Sequence, residues 1–220
     1  PAGRQGNYDP YRILVSEVML QQTQVDRVVP FYTNFLKKFP TAKALARAPL
    51  VDVLKVWQGL GYNRRAKYLH EAAKQWGRVP LEDLPGVGPY TAKAVRAFAF
   101  NEPVVLIETN IRTVFIHHFF PKKKKVSDSE LLPLIAAALP RGRSREWYSA
   151  LMDYGSYLKK MLPNPSRRSA SHVHQSKFKG SDREIRGAIL KAHLASSDIR
   201  KLPFDRSRLN AQIAALKGEA

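Results

Sequence analysis

Cysteine is absent from all 220 residues. That single absence excludes disulfides, thiolate zinc sites, thiol nucleophiles and any cysteine-held iron–sulfur cluster. Acidic residues are scarce as well. Only 18 Asp and Glu stand against 37 Lys and Arg, a net charge of +19. A polyanion is therefore the expected partner, ahead of a merely solubilising surface. Apolar runs are short and interrupted, so no segment reads as membrane-spanning, and the first residues do not read as a signal peptide. A cytoplasmic, nucleoid-associated location is the expectation.

Alternating, period-two stretches are missing too, and no strand is expected. What remains reads as an all-α chain of short helices joined by Gly and Pro turns. Asp9-Pro10 is a helix start, with an N-cap followed by Pro at the first position. Helical runs follow at 11–24, 26–38, 41–48, 50–57, 63–76, 90–100, 109–119, 128–139, 145–160 and 182–195. Residues 163–181 read as a polar loop and 196–220 as a weakly amphipathic, packed tail.

Residues 84–92, Leu84-Pro85-Gly86-Val87-Gly88-Pro89-Tyr90-Thr91-Ala92, describe a tight glycine turn opening into a helix. Gly86 and Gly88 permit positive φ and close approach of a backbone, and Pro89 pre-sets the first helical turn. The main-chain N–H groups of Gly86, Val87, Gly88, Tyr90 and Thr91 then suit a phosphate, without reading what it is attached to. With this charge, that phosphate is expected to belong to a nucleic acid backbone.

Two carboxylates stand in apolar surroundings. Glu17 shares a helix face with Ile13, Leu14, Leu20 and Gln21. It reads as a general acid of raised pKa or as a salt-bridged rim residue. Glu108 ends the run Val104-Val105-Leu106-Ile107 and reads as an electrostatic partner or as a helix cap. Gln21, Gln22, Tyr62 and Asn63, beside helix ends and glycines, suit insertion into a base stack or an ordinary surface. Lys122 to Lys125 read as a solvated loop with a secondary role in phosphate contact. His117-His118 and His172/His174 lack partners at metal-ligand spacing.

Asp9-Pro10-Tyr11, Ser16 to Val25, Gly59-Leu60-Gly61-Tyr62 and Leu84 to Gly88 together resemble the helix-hairpin-helix DNA glycosylases. The run Glu17-Val18-Met19-Leu20-Gln21-Gln22-Thr23-Gln24 resembles the MutY branch, the adenine glycosylases. The resemblance covers residues 9–120 closely, and Tyr148 to Gly155 and Phe178 to Leu190 more weakly. It implies a two-lobed all-α fold with the active site in the interlobe cleft. One lobe, 10–107, would have six helices and carry the hairpin. The other, 1–9 plus 108–195, would hold no iron–sulfur cluster, and 196–220 would be the tail.

The resemblance also assigns roles. Glu17 falls on the acid that protonates adenine, Tyr90 on an active-site Tyr, and Asn110 on an Asn beside the catalytic acid. Gln22 and Tyr62, with Gln21, fall on residues that wedge into the duplex. The partner would be double-stranded DNA with a mismatched or damaged base, bound by a monomer away from any membrane. The cofactor expectation is none, save a monovalent or divalent cation at the hairpin. Tyr90 stands where bifunctional relatives carry a Lys, which argues for hydrolysis alone, with Lys93 one turn on. The alternatives are a uracil, thymine or hypoxanthine glycosylase, or a non-catalytic DNA-structure binder.

Three departures from the branch are visible. Glu108 replaces the family's catalytic Asp. Lys159 stands where the first cluster cysteine would be. No segment of these residues resembles the domain with which MutY reads 8-oxoguanine.

Overall fold

The structure, a computed structural model, describes residues 8–172 and 177–218. Eleven α-helices appear among them: α1 Pro10–Leu20, α2 Val25–Lys38, α3 Ala42–Arg47, α4 Leu50–Trp57, α5 Arg64–Gln75, α6 Pro89–Phe100, α7 Thr109–Phe119, α8 Asp128–Ala138, α9 Ser144–Met161, α10 Asp182–Leu194 and α11 Arg206–Gly218. No strand occurs among the described residues, and one isolated bridge joins Val126 and Ser169. The expected all-α class holds.

The chain divides into two compact units. The first takes its described residues from Pro1–Val18, Pro80–Asp83 and Val87–His174. The second takes them from Met19–Val79, Leu84–Gly86 and Gln175–Ala220. These boundaries differ from the expected 10–107 and 108–195. They cut α1 after Val18, and they place the helices following α1 together with the C-terminal pair. The expected tail is a built element, because α11 buries Leu209 against Ile185 and Ile189 of α10.

In the first unit the core gathers α6 to α9 around Leu106, Ile111, Phe115, Ile116, Leu131, Ile135 and Tyr148. Helix ends are set locally. Asp9 Oδ1 accepts from the Tyr11 N–H at 2.8 Å, the expected start of α1. Ser127 and Glu130 form a capping box on α8. Helix α6 closes on Asn101, in the left-handed region at φ 58°. Arg145 then donates to the terminal carbonyls of Phe98 and Ala99 at 2.6 and 2.8 Å. Arg168 plays a similar part for α7, donating to the carbonyls of Phe120, Pro121 and Lys123 at 2.5, 3.1 and 2.9 Å. Arg168 thus ties the segment after α9 to the chain that leaves α7.

In the second unit Phe35 of α2 packs edge-on to Phe39 and Trp57, with centroids 5.0 and 5.8 Å away. Helix α1 stops at Leu20, short of the expected Gln24, because Gln22 turns into the left-handed region at φ 59°.

Candidate active site

The first unit brings Glu17, Tyr90, Glu108 and Asn110 into one electrostatic neighbourhood, and the delivery of Glu108 is the key to it. Residues 101–108 run without a ladder, so their main-chain groups need other partners. Tyr148, fully buried on α9, supplies them with one hydroxyl. It accepts from the Leu106 N–H at 3.1 Å and donates to the Val104 carbonyl at 2.9 Å. Glu108 then arrives as N-cap of α7. Its Oε1 accepts from the N–H groups of Asn110 and Ile111 at 2.6 and 2.9 Å. Both bonds use Oε1, so the cap does not engage Oε2. The sequence left cap and electrostatic partner as alternatives, and the geometry allows one carboxylate to be both.

Glycine makes the neighbouring contact. A Cβ on Gly155 of α9 would lie 2.3 Å from the Asn110 carbonyl oxygen, so only glycine lets α9 approach the first turn of α7. Asn110 itself carries a buried Oδ1 with no hydrogen-bond partner. A buried acceptor left so costs about 1–3 kcal/mol. One turn along, Arg112 grips Asp128 through two bonds of 2.8 and 2.7 Å.

Glu17 lies on α1 with part of its surface open. Burial of its carboxyl pushes the pKa up to about 7, and the charge of Glu108 adds to the rise. Tyr90 donates its hydroxyl to Glu17, which opposes the shift without cancelling it. Burial and the two carboxylates push the Tyr90 hydroxyl far above its ordinary range, so it stays a donor. Lys159 is half-buried nearby. Burial lowers its pKa and the charge of Glu108 pulls it back up. The unit thus presents a carboxyl protonated near neutrality, a capped anion and an unpaired acceptor: a proton donor beside a fixed negative charge.

The glycine turn is asymmetric. Gly86 sits at φ 74°, and a Cβ there would meet the Tyr68 Cβ at 2.6 Å. Gly88 corrects the sequence reading. It lies at φ −79°, extended, with nothing within 4 Å of a Cβ. No backbone strain requires glycine there. Val87 and Thr91 are buried, 6 % and 3 % exposed.

In the second unit the wedge candidates sit on two loops, and one residue the sequence reading passed over ties both. Arg65, buried on α5, donates to the carbonyls of Met19 and Gln21 at 2.8 and 2.6 Å and to Thr23 Oγ1 at 3.2 Å. It also reaches the Gly61 carbonyl at 3.0 Å. Gln22 and Tyr62 both hold left-handed φ, 59° and 49°, a costly state for such residues unless the surroundings impose it. Burial lowers the Arg65 pKa to about 10, still charged at neutrality. Its sequence signal was its phase: Arg65, Leu69 and Ala72 share the apolar face of α5.

The remaining candidates carry less. Residues 122–125 are exposed, as expected of a solvated loop. His118 Nε2 lies 2.9 Å from the Tyr154 hydroxyl, and His174 lies outside the described residues. Among the described residues no group of three or more His, Cys, Asp or Glu is placed to hold a metal ion.

The chain is similar to several known proteins. The adenine DNA glycosylase of Mycolicibacterium smegmatis is 34% identical over 213 residues, which are 85% of this chain and 73% of that protein. That of Mycobacterium tuberculosis is 46% identical over 121 residues, 50% of this chain and 40% of that protein. The solved structure of a thermostable thymine-DNA glycosylase superposes with a TM-score of 0.57 at 28% identity, covering 68% of this chain and 75% of that one. The family described as HhH-GPD superfamily base excision DNA repair protein matches residues 15–134. That stretch holds Glu17, the glycine turn, Tyr90, Glu108 and Asn110, and the chain belongs to this superfamily of base excision DNA repair proteins.

Proposed function

We propose that the protein is a monofunctional DNA glycosylase that excises adenine from mispairs. The observation that carries this reading is the Glu17 carboxyl, with a pKa of about 7, held by Tyr90 and facing the charge of Glu108. The target nucleotide leaves the duplex. Glu17 donates its proton to the base, at N7 if the base is adenine, which weakens the C1′–N bond. Glu108 stabilises the oxocarbenium-like sugar, directly or as a transient adduct, and water completes the hydrolysis. Tyr90 occupies the position of a lyase lysine, and Lys93 is exposed on α6, which supports hydrolysis without elimination.

The names of the two mycobacterial relatives support adenine as the base. A second reading, a mismatch thymine or uracil glycosylase, is favoured by the structural likeness to a thymine-DNA glycosylase. One experiment separates them. The protein is incubated with duplexes bearing A:8-oxoG, A:G, hypoxanthine, U:G and T:G, and abasic sites are cleaved with alkali. Cleavage at A:8-oxoG or A:G is expected. Cleavage at T:G or U:G alone assigns the second reading, and no cleavage anywhere removes the enzymatic one.

A further inference from the structure

Two carboxyls share one neighbourhood in the first unit, and the reaction needs them in different states, Glu17 carrying a proton and Glu108 a charge. Two acids that feel one another do not sort themselves. A proton on either one relieves the pair, so the assignment comes from what surrounds them. Burial gives the proton to Glu17. The charge on Glu108 needs a partner of its own.

Among the described residues, the groups that feel the Glu108 charge are Glu17 on α1, Tyr90 on α6, Arg112 on α7 and Lys159 on α9. Tyr90 stays neutral. Arg112 is bound to Asp128 of α8 through bonds of 2.8 and 2.7 Å, so that pair brings little net charge. Lys159 is the remaining cation. Among the described residues it makes no hydrogen bond and no ion pair. Gly155 lies one turn before it on the same face of α9. A helical side chain leans back over the preceding turn, and at Gly155 no side chain stands in its way. This is the turn of α9 that touches the Asn110 main chain, two residues after Glu108. The lysine is half-buried there, a costly place for an ammonium. Burial lowers its pKa, and the Glu108 charge offsets part of that cost.

We propose that Lys159 is a positioning residue for charge: its ammonium, one turn beyond the contact of Gly155 with Asn110, is the counter-charge that keeps Glu108 an anion while Glu17 holds the proton. It acts across a gap rather than in contact. A lysine bonded to Glu108 would spend the carboxylate that has to meet the sugar cation. One that stands off still biases the carboxylate towards its charged form, because the attraction falls only slowly with distance where water is excluded. This rests on the reading of the protein as a DNA glycosylase.

The test uses the full chain and has two arms. The first needs no catalysis. The Lys159 side-chain Cε resonance, assigned by its loss in Lys159→Arg, is followed through a pH titration. In Glu108→Gln it is expected to titrate about one pH unit lower than in the parent. An unchanged titration refutes the pairing, whatever the activity. The second arm is single-turnover excision from an A:G duplex at saturating protein, across pH. Lys159→Met keeps the stem and removes the charge. Its acid limb is expected to move to higher pH by about one unit, while the alkaline limb set by Glu17 stays near pH 7. Lys159→Arg is expected to keep the parental acid limb. Lys160→Met removes an exposed charge from the same helix and is expected to keep the whole parental profile. A Lys159→Met profile that matches that of Lys160→Met refutes the role and leaves the glycosylase reading standing. If Lys159→Met does not fold, the titration in Glu108→Gln decides. If the parent excises nothing, the glycosylase reading falls and the role of Lys159 in excision falls with it.

Discussion

Gly155 rests on the main chain of Asn110 so closely that a single methyl group at Gly155 would sit 2.3 Å from the Asn110 carbonyl oxygen. The obstacle is backbone, not the tip of a flexible side chain, so it cannot step aside without moving the start of α7. Since Glu108 caps that same turn, the contact fixes the carboxylate from below. Gly155→Ala is expected to cost about 1–3 kcal/mol or more, the range for overpacking, and to cut single-turnover excision. Gly187→Ala on α10, with nothing within 4 Å of its Cβ, is the control. It is expected to leave the melting temperature unchanged or raise it.

Glu17 predicts two pH effects of defined sign. Its pKa in the fold, about 7, lies above the ordinary 4.5. Between those values the folded protein holds the proton that the unfolded chain releases, so stability falls as pH rises through this window. Glu17→Gln is expected to melt at a higher temperature than the parent above pH 7, and at nearly the same temperature below pH 4.5. Excision runs on the same proton. The parent's single-turnover rate is expected to drop about tenfold per pH unit above 7, and Glu17→Gln to be inactive while still binding duplex. A flat pH–rate profile in the parent would remove Glu17 as the acid.

Glu108→Gln separates charge from capping. Glutamine keeps an oxygen for the Asn110 and Ile111 N–H groups, so the melt is expected to shift by no more than about 1 kcal/mol. Loss of the anion is expected to slow excision a hundredfold or more. Glu108→Asp keeps charge and cap, and activity within about tenfold of the parent is expected. A Glu108→Gln protein that excises at the parental rate would leave the residue as a cap alone.

The two glycines of the turn are expected to behave differently. Gly86→Ala meets both a left-handed φ and the Tyr68 side chain, so it is expected to lower stability along with affinity. Gly88→Ala meets neither. It is expected to melt like the parent and bind every duplex more weakly, because the added methyl stands where a phosphate would approach. Equal melts for the two variants would contradict this asymmetry.

Much of the fold was legible because its signals were local. The start of α1 at Asp9-Pro10 and the helix after Gly88 each follow from two or three adjacent residues. Glu17 stood out because a carboxyl on an apolar face is a conflict visible in a single helical turn. Distant contacts were not legible. Nothing in the neighbours of Tyr148 announces that its hydroxyl closes the main chain of Val104 and Leu106, more than forty positions away. Arg65 was hidden among other basic residues, although its phase on α5 set it apart. Gly88 shows the reverse error: a glycine read as conformational need turns out to adopt an ordinary φ. The grouping of α10 with helices from the first third of the chain was not legible either, because it joins segments far apart in sequence.

Arg65 predicts how the wedge loops fail. Its bonds to the carbonyls of Met19, Gln21 and Gly61 leave with it. Arg65→Ala is expected to release both loops at once, seen as faster hydrogen exchange over 20–23 and 60–63 together, with weakened mispair binding. Exchange that quickens in one loop only would show that the loops are held independently.

The dependence on Tyr148 also sets an order in time. Glu108 emerges from the ribosome some forty residues before the phenol that seats it. Until α9 has been made and has docked, the Val104 carbonyl and the Leu106 N–H lack the partner they share. A chain that stops short of α9 would therefore hold the glycine turn and Glu17, with the approach to Glu108 still unsecured. The segment that delivers the anion is therefore expected to be among the later parts of this unit to settle as the chain is made.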